Sequence, residues 1–191
     1  EEVVDSLAIA DPKTLLLWGD KIQNNYENLI KADELPPFEW KFPSHLLEFV
    51  NDVEKVDPED IQEKKKIKAM YSWFVNHCIP IDMTRRKCLF LVSTVRGLGK
   101  SEFAKRLVPH EGYTIYCRNS LDAAEFKRKE KNARLIILDD VSYIGNEREM
   151  WKALVSGESV NINTKYHNFK WKGGLPCIVL TNEMSTFSYW A

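Results

Sequence analysis

The chain has no excess of either charge. Its 191 residues carry 27 lysines and arginines against 28 aspartates and glutamates, a net charge of −1. No overall basic field therefore draws it to nucleic acid, and any such contact must come from local clusters. Cysteine is scarce. Cys78, Cys88, Cys117 and Cys177 show no paired spacing and the four histidines are scattered. This argues against a zinc site or a disulfide framework and fits reduced thiols of the cytosol or nucleus. His77 and Cys78 adjoin, but neighbours on a helix diverge, so they read as core packing. No apolar run approaches the length of a membrane span, and no basic-then-apolar leader opens the chain. A soluble, intracellular protein with no membrane partner is expected. Internal repeats and low-complexity segments are lacking too, and the first residue is Glu1 rather than methionine, which suggests a piece of a longer protein.

What is present is an ordinary globular composition, 44% hydrophobic and 29% charged, enough for one sizeable core and a small appended unit. Asp11-Pro12 is a helix entry, and the run after it sets Leu15, Trp18, Ile22, Tyr26 and Leu29 on one face. Pro36, Pro37 and Pro43 then forbid regular helix, so 32–43 reads as a linker. Ser44 is placed to cap a short helix with Leu46, Leu47, Val50 and Val53 inward. Asp57-Pro58 starts another, with Ile67, Met70, Tyr71, Phe74 and Val75 at helical spacing. Its Lys64-Lys65-Lys66 run reads as a solvated face. From Cys88 the texture changes. Cys88–Val92 and Arg134–Leu138 are short apolar runs of the kind buried on both faces of a sheet, and Tyr113–Cys117 and Cys177–Thr181 are further strand candidates. Helical stretches at Lys100–Leu107, Leu121–Lys131 and Arg148–Leu154 alternate with them, which predicts a mostly parallel α/β sheet with covering helices.

Residues 93–101 read Ser-Thr-Val-Arg-Gly-Leu-Gly-Lys-Ser. An apolar strand leads in and a helix leads out, the setting in which backbone N–H groups, one lysine and one hydroxyl converge on phosphates and Mg²⁺. Thr94 stands where the full pattern begins with glycine, while Gly97 and Gly99 still supply loop freedom around Leu98. The run "ARLIILDDV" ends in Asp139-Asp140. A carboxylate at the end of a neighbouring strand helps hold Mg²⁺, and a second can orient or deprotonate a water. "PCIVLTNE" ends in Thr181-Asn182, whose amide would reach a terminal phosphate. Between the acids and this asparagine, Val160 and Ile162 alternate with Asn161 and Asn163, and Phe169 and Trp171 with Lys170 and Lys172. These arms predict a β-hairpin with Lys165 and His167 near its tip, basic and aromatic as a phosphate backbone and unstacked bases require.

Phosphate loop, double acid, basic hairpin and terminal asparagine together resemble the superfamily 3 helicases of small DNA viruses. The segment "LIILDDVSYI…WKAL…VNINTKY…CIVLTNEMSTFSYW" is similar to the replication initiators (Rep) of circular single-stranded DNA viruses and related plasmids, especially circoviruses. The resemblance covers residues 88–190. It implies a P-loop NTPase (AAA+-like) three-layer core over 88–191 and a helical oligomerisation subdomain over 44–87. Residues 1–43 would connect to a nuclease domain outside this chain. It further implies ATP and Mg²⁺ as cofactors, with Gly97, Leu98, Gly99 and Lys100 on the phosphates and Ser101 and Asp139 on the metal. Asp140 would activate water and Asn182 would sense the γ-phosphate, so Lys100, Asp140 and Asn182 carry catalysis. Lys165, assisted by His167 and Lys170, would track the strand. Family members work as hexameric rings around single-stranded DNA in the host nucleus, which implies a homo-oligomer. Their arginine finger follows the asparagine, and the chain reaches Ala191 before any arginine, so weak hydrolysis by this piece alone is expected. A picornavirus-type RNA-associated ATPase, a nucleotide kinase and a non-hydrolysing DNA-binding oligomerisation module are the alternatives. The first normally carries a membrane helix and a cysteine-rich zinc segment, neither visible here. The kinase needs a lid with several arginines, and "DAAEFKRKEK" offers only Arg128. The paired acids argue against the third.

Overall fold

The computed structural model describes residues 35–52, 58–81, 83, 85–140, 148–163 and 168–183. The chain divides into two units, Glu1–Pro37 and Phe38–Ala191. The helix expected after Asp11 lies outside the described residues, as do Lys165 and His167.

In the second unit the elements run α1 (Ser44–Asn51), α2 (Pro58–His77), β1 (Leu89–Val92), α3 (Lys100–Arg106), β2 (Thr114–Arg118), α4 (Ala123–Lys129), β3 (Leu135–Asp139), α5 (Arg148–Val155), β4 (Val160–Asn163), β5 (Asn168–Trp171) and β6 (Cys177–Thr181). The apolar runs form one parallel sheet in the order β1-β6-β3-β2, with Val92 opposite Thr181, Asp139 opposite Leu180 and Arg118 opposite Asp139. β6 is buried throughout and β3 up to its last residue. β1, at one edge of the described sheet, is half-buried, whereas β2 at the other edge is mostly buried.

Side chains alternate across these strands, and each face has its own cover. Ile115, Cys117, Ile136, Leu138, Cys177 and Val179 join Ala123 and Phe126 of α4, Trp151 and Leu154 of α5, and Ile162 and Trp171 of the hairpin in one core. Asp122 caps α4 by accepting a bond from the Ala124 N–H at 2.9 Å. On the other face Lys105 of α3 sits 4.7 Å over the Tyr116 ring, and Ala104 and Leu107 are fully buried. The result is a layered α/β core.

The helical unit differs from expectation in phase. Pro43, not Ser44, takes the N-cap position of α1, with no side-chain cap. Proline suits it, with its fixed φ and no N–H to satisfy. In α2 the buried residues are Trp73 and Phe74, while Tyr71 and Val75 are exposed. Trp73 is held because its indole N–H donates to the Lys87 carbonyl at 2.5 Å. The proline-flanked stretch before α1 packs by its aromatics. Phe38 meets Tyr113 edge-on at 5.0 Å, Trp40 meets Phe74 at 6.0 Å, and Phe42 lies against Tyr71, Phe74 and Phe103.

Two fastenings close the amino-terminal end of the sheet. Arg86, just before β1, is buried, and its guanidinium donates to the carbonyls of His77, Pro80, Ile81 and Gly174. The base of the β4–β5 hairpin closes where Gly174 N–H donates to Gly157 O at 2.7 Å. From this base the chain enters β6 directly. The hairpin strands pair antiparallel, Val160 with Trp171 and Ile162 with Phe169. Their apolar face is built into the core, while Asn161, Asn168 and Lys170 are exposed.

Candidate functional site

All four strands of the sheet point the same way, so Val92, Arg118, Asp139 and Thr181 end at one edge. Open parallel sheets bind ligands outside the carboxyl ends of their strands. The predicted residues of the loop, the double acid and the asparagine gather there.

The loop after β1 begins with the Ser93 N–H on the Thr181 carbonyl at 3.2 Å, which extends the ladder by one step. The Ser93 hydroxyl then accepts from the Val95 N–H at 3.1 Å and turns the chain. Gly97 and Gly99 adopt φ of +78° and +75°, the left-handed region that glycine enters without penalty. Their role is thus a fixed backbone shape rather than the looseness expected from the sequence. A Cβ on either would meet nothing within 4 Å, so the loop faces open space. Thr94 is not among the residues with positive φ, and its side chain is exposed. The absent first glycine therefore imposes no backbone strain.

Two hydrogen-bond sets occupy this edge. In the first, Lys100 Nζ donates to Asn182 Oδ1 at 2.7 Å, and Asn182 Nδ2 donates to Asp140 Oδ2 at 3.1 Å. Asp140 is turned outward by a left-handed backbone, φ +48°, and its N–H is tied to the Leu180 carbonyl at 2.9 Å. In the second, Ser101 Oγ donates to Asp139 Oδ2 at 2.9 Å, and the Tyr116 hydroxyl donates to the same oxygen at 2.5 Å. Burial, and after it the bond to Asp139, push the Tyr116 phenol up to about 12. It therefore stays a donor at neutral pH.

The five residues Lys100, Ser101, Asp139, Asp140 and Asn182 thus come together from three strand ends. Lys170 lies on the hairpin, which is fastened at the opposite end of the sheet. Tyr116 is the participant that the motifs did not supply. Tyr116 stands opposite Ile137, two residues before Arg118, the register partner of Asp139, a juxtaposition that only the strand pairing reveals.

Among the described residues no cluster of three or more His, Cys, Asp or Glu gathers as a metal site. A hydroxyl beside a single carboxylate is nonetheless the donor set that suits Mg²⁺, which keeps several waters and takes one or two carboxylates plus phosphate oxygens. The open, glycine-shaped loop beside a lysine likewise suits phosphate. Among the described residues no helix is long and apolar enough to cross a membrane.

No family model and no curated protein matches the chain. Among solved structures it is similar to the A-form apo structure of the NrS-1 C-terminal region, at 16% identity and a TM-score of 0.42, over 80% of this chain and 36% of that one. A second structure of that region, spanning its residues 305–718, gives 14% identity and a TM-score of 0.39 over 80% and 35%. This chain spans about a third of the length of those structures.

Proposed function

We propose that this chain is a P-loop ATPase core of superfamily 3 helicase type, from a replication initiator that acts as an oligomer on single-stranded DNA. The observation that carries the reading is the pair of networks at one sheet edge, Lys100–Asn182–Asp140 and Ser101–Asp139, below an open loop shaped by Gly97 and Gly99. The strand, the ring and the nuclear setting rest on the order of motifs in the sequence.

Bound Mg-ATP supplies the phosphoanhydride to be broken and the cation that neutralises it. The chain's own part follows from its groups. The loop backbone would hold the phosphates, and Lys100 would donate to their oxygens. Ser101 offers its hydroxyl oxygen to the metal, with Asp139 behind it. Asp140, exposed at the edge, takes the proton of the attacking water, which Asn182 orients.

Titration of a fluorescent ATP analogue against the wild type and Lys100→Ala tests this. The variant should bind at least tenfold more weakly, a loss of about 1.4 kcal/mol or more. Equal affinity removes the nucleotide site and with it the ATPase reading.

A further inference from the structure

Asp139 is served from two sides. Ser101 reaches it from the helix after the phosphate loop, and Tyr116 reaches it from β2, a strand that carries none of the nucleotide motifs. Both bonds fall on Oδ2. Two donors on one carboxylate oxygen fix its rotation and leave Oδ1 as the oxygen turned away from them. The tyrosine ring is itself held, with the Lys105 ammonium 4.7 Å above its face. Backbone geometry supports the reach. Tyr116 is opposite Ile137 and shares a sheet face with Asp139 two residues on, the diagonal distance that a long aromatic side chain spans.

We propose that Tyr116 is a positioning residue for the divalent cation: its hydroxyl orients the Asp139 carboxylate that backs the Ser101 hydroxyl. The inference rests on the nucleotide reading above. It concerns the metal step only, since the Tyr116 hydroxyl acts through the Asp139 carboxylate. Groups that orient a metal-holding carboxylate typically influence metal affinity by 10–100-fold. The Tyr116 hydroxyl should therefore govern how much Mg²⁺ the site needs, and leave metal-free nucleotide binding alone.

The test measures binding of mant-ATP with Mg²⁺ titrated from chelated to saturating, in the wild type, Tyr116→Phe, Asp139→Asn, the double variant and Lys100→Ala. Circular dichroism checks that each is folded. Tyr116→Phe should require about tenfold more Mg²⁺ for half-maximal enhancement of binding, with the chelated affinity unchanged. In the Asp139→Asn background the same change should add nothing, because the tyrosine acts through that carboxylate. An unchanged Mg²⁺ requirement overturns the proposal. So does a loss that is equal with and without Mg²⁺, or one that persists in the Asp139→Asn background. A Tyr116→Phe chain that does not fold also overturns it, by making the hydroxyl an element of stability. If Lys100→Ala binds mant-ATP like the wild type, the nucleotide reading itself fails. Should Lys100→Ala lose binding while Tyr116→Phe behaves like the wild type, only the tyrosine's role is lost.

Discussion

Replacing Arg86 with alanine should destabilise the chain by about 4 kcal/mol. The side chain is 6% exposed and donates to four carbonyls, from His77, Pro80 (2.7 Å), Ile81 (3.3 Å) and Gly174 (2.8 Å). Hydrogen bonds from a charged donor contribute about 1.5–3 kcal/mol each, net of the donor's dehydration, so the three shorter ones, to His77, Pro80 and Gly174, give about 4 to 5 at the lower figure. In a chain of this size 1 kcal/mol moves the midpoint by about 2–4 °C, so Tm should fall by about 8–16 °C in a melt followed by circular dichroism. Arg86→Lys should recover little, because an ammonium group cannot fork between the end of α2 and the hairpin base. A Tm within about 3 °C of the wild type for Arg86→Ala would refute the reasoning: the carbonyls would then be content with water, and the clamp would hold nothing.

Two further outcomes follow from the same end of the sheet. A Cβ on Gly173 would lie 2.4 Å from the Gly157 carbonyl at a φ of +79°, whereas one on Gly174, φ +87°, meets nothing within 4 Å. In urea titrations Gly174→Ala should cost about 1–2 kcal/mol from backbone strain alone and Gly173→Ala clearly more. Equal costs would refute the close approach. His77 has its pKa held below 6.5, first by burial and then by Lys87 and Arg86. Below that value the unfolded chain binds the proton more readily than the folded one, so stability is full above it and falls as pH drops. His77→Gln should flatten this part of the profile in melts taken between about pH 5 and 8, and an unchanged slope would refute it.

The sheet was legible because each strand is an apolar run closed by polar residues, and the gathering of Lys100, Ser101, Asp139, Asp140 and Asn182 because they sit at or just after those closures. Observed strand limits fall within a residue of the expected ones for Cys177–Thr181, Thr114–Arg118 and Leu135–Asp139. Strand order was not legible, since parallel pairing is a property of distant segments, and without it the bond from Tyr116 to Asp139 has no sequence signature. Arg86 was hidden differently. In "TRRKC" it reads as one of three surface cations, and only the fold reveals that its neighbours Arg85 and Lys87 face out while it is buried. The aromatic strap was readable in principle. Phe38, Trp40 and Phe42 alternate as a one-sided extended segment does, but the flanking prolines carry the stronger local signal.

β6 joins two places that the sheet keeps apart. Cys177 leaves the hairpin base, and Asn182 follows Thr181 at the carboxyl edge of the sheet. Five residues of extended chain make a rod of about 17 Å, clasped laterally by β1 and β3 through continuous ladders. Such a rod resists bending, sideways travel and axial sliding alike, since any slip along its axis breaks register with both neighbours. Asn182 and the hairpin base at Gly174 are therefore tied to a fixed separation through one stiff element. The strand is a strut between the two ends of the sheet.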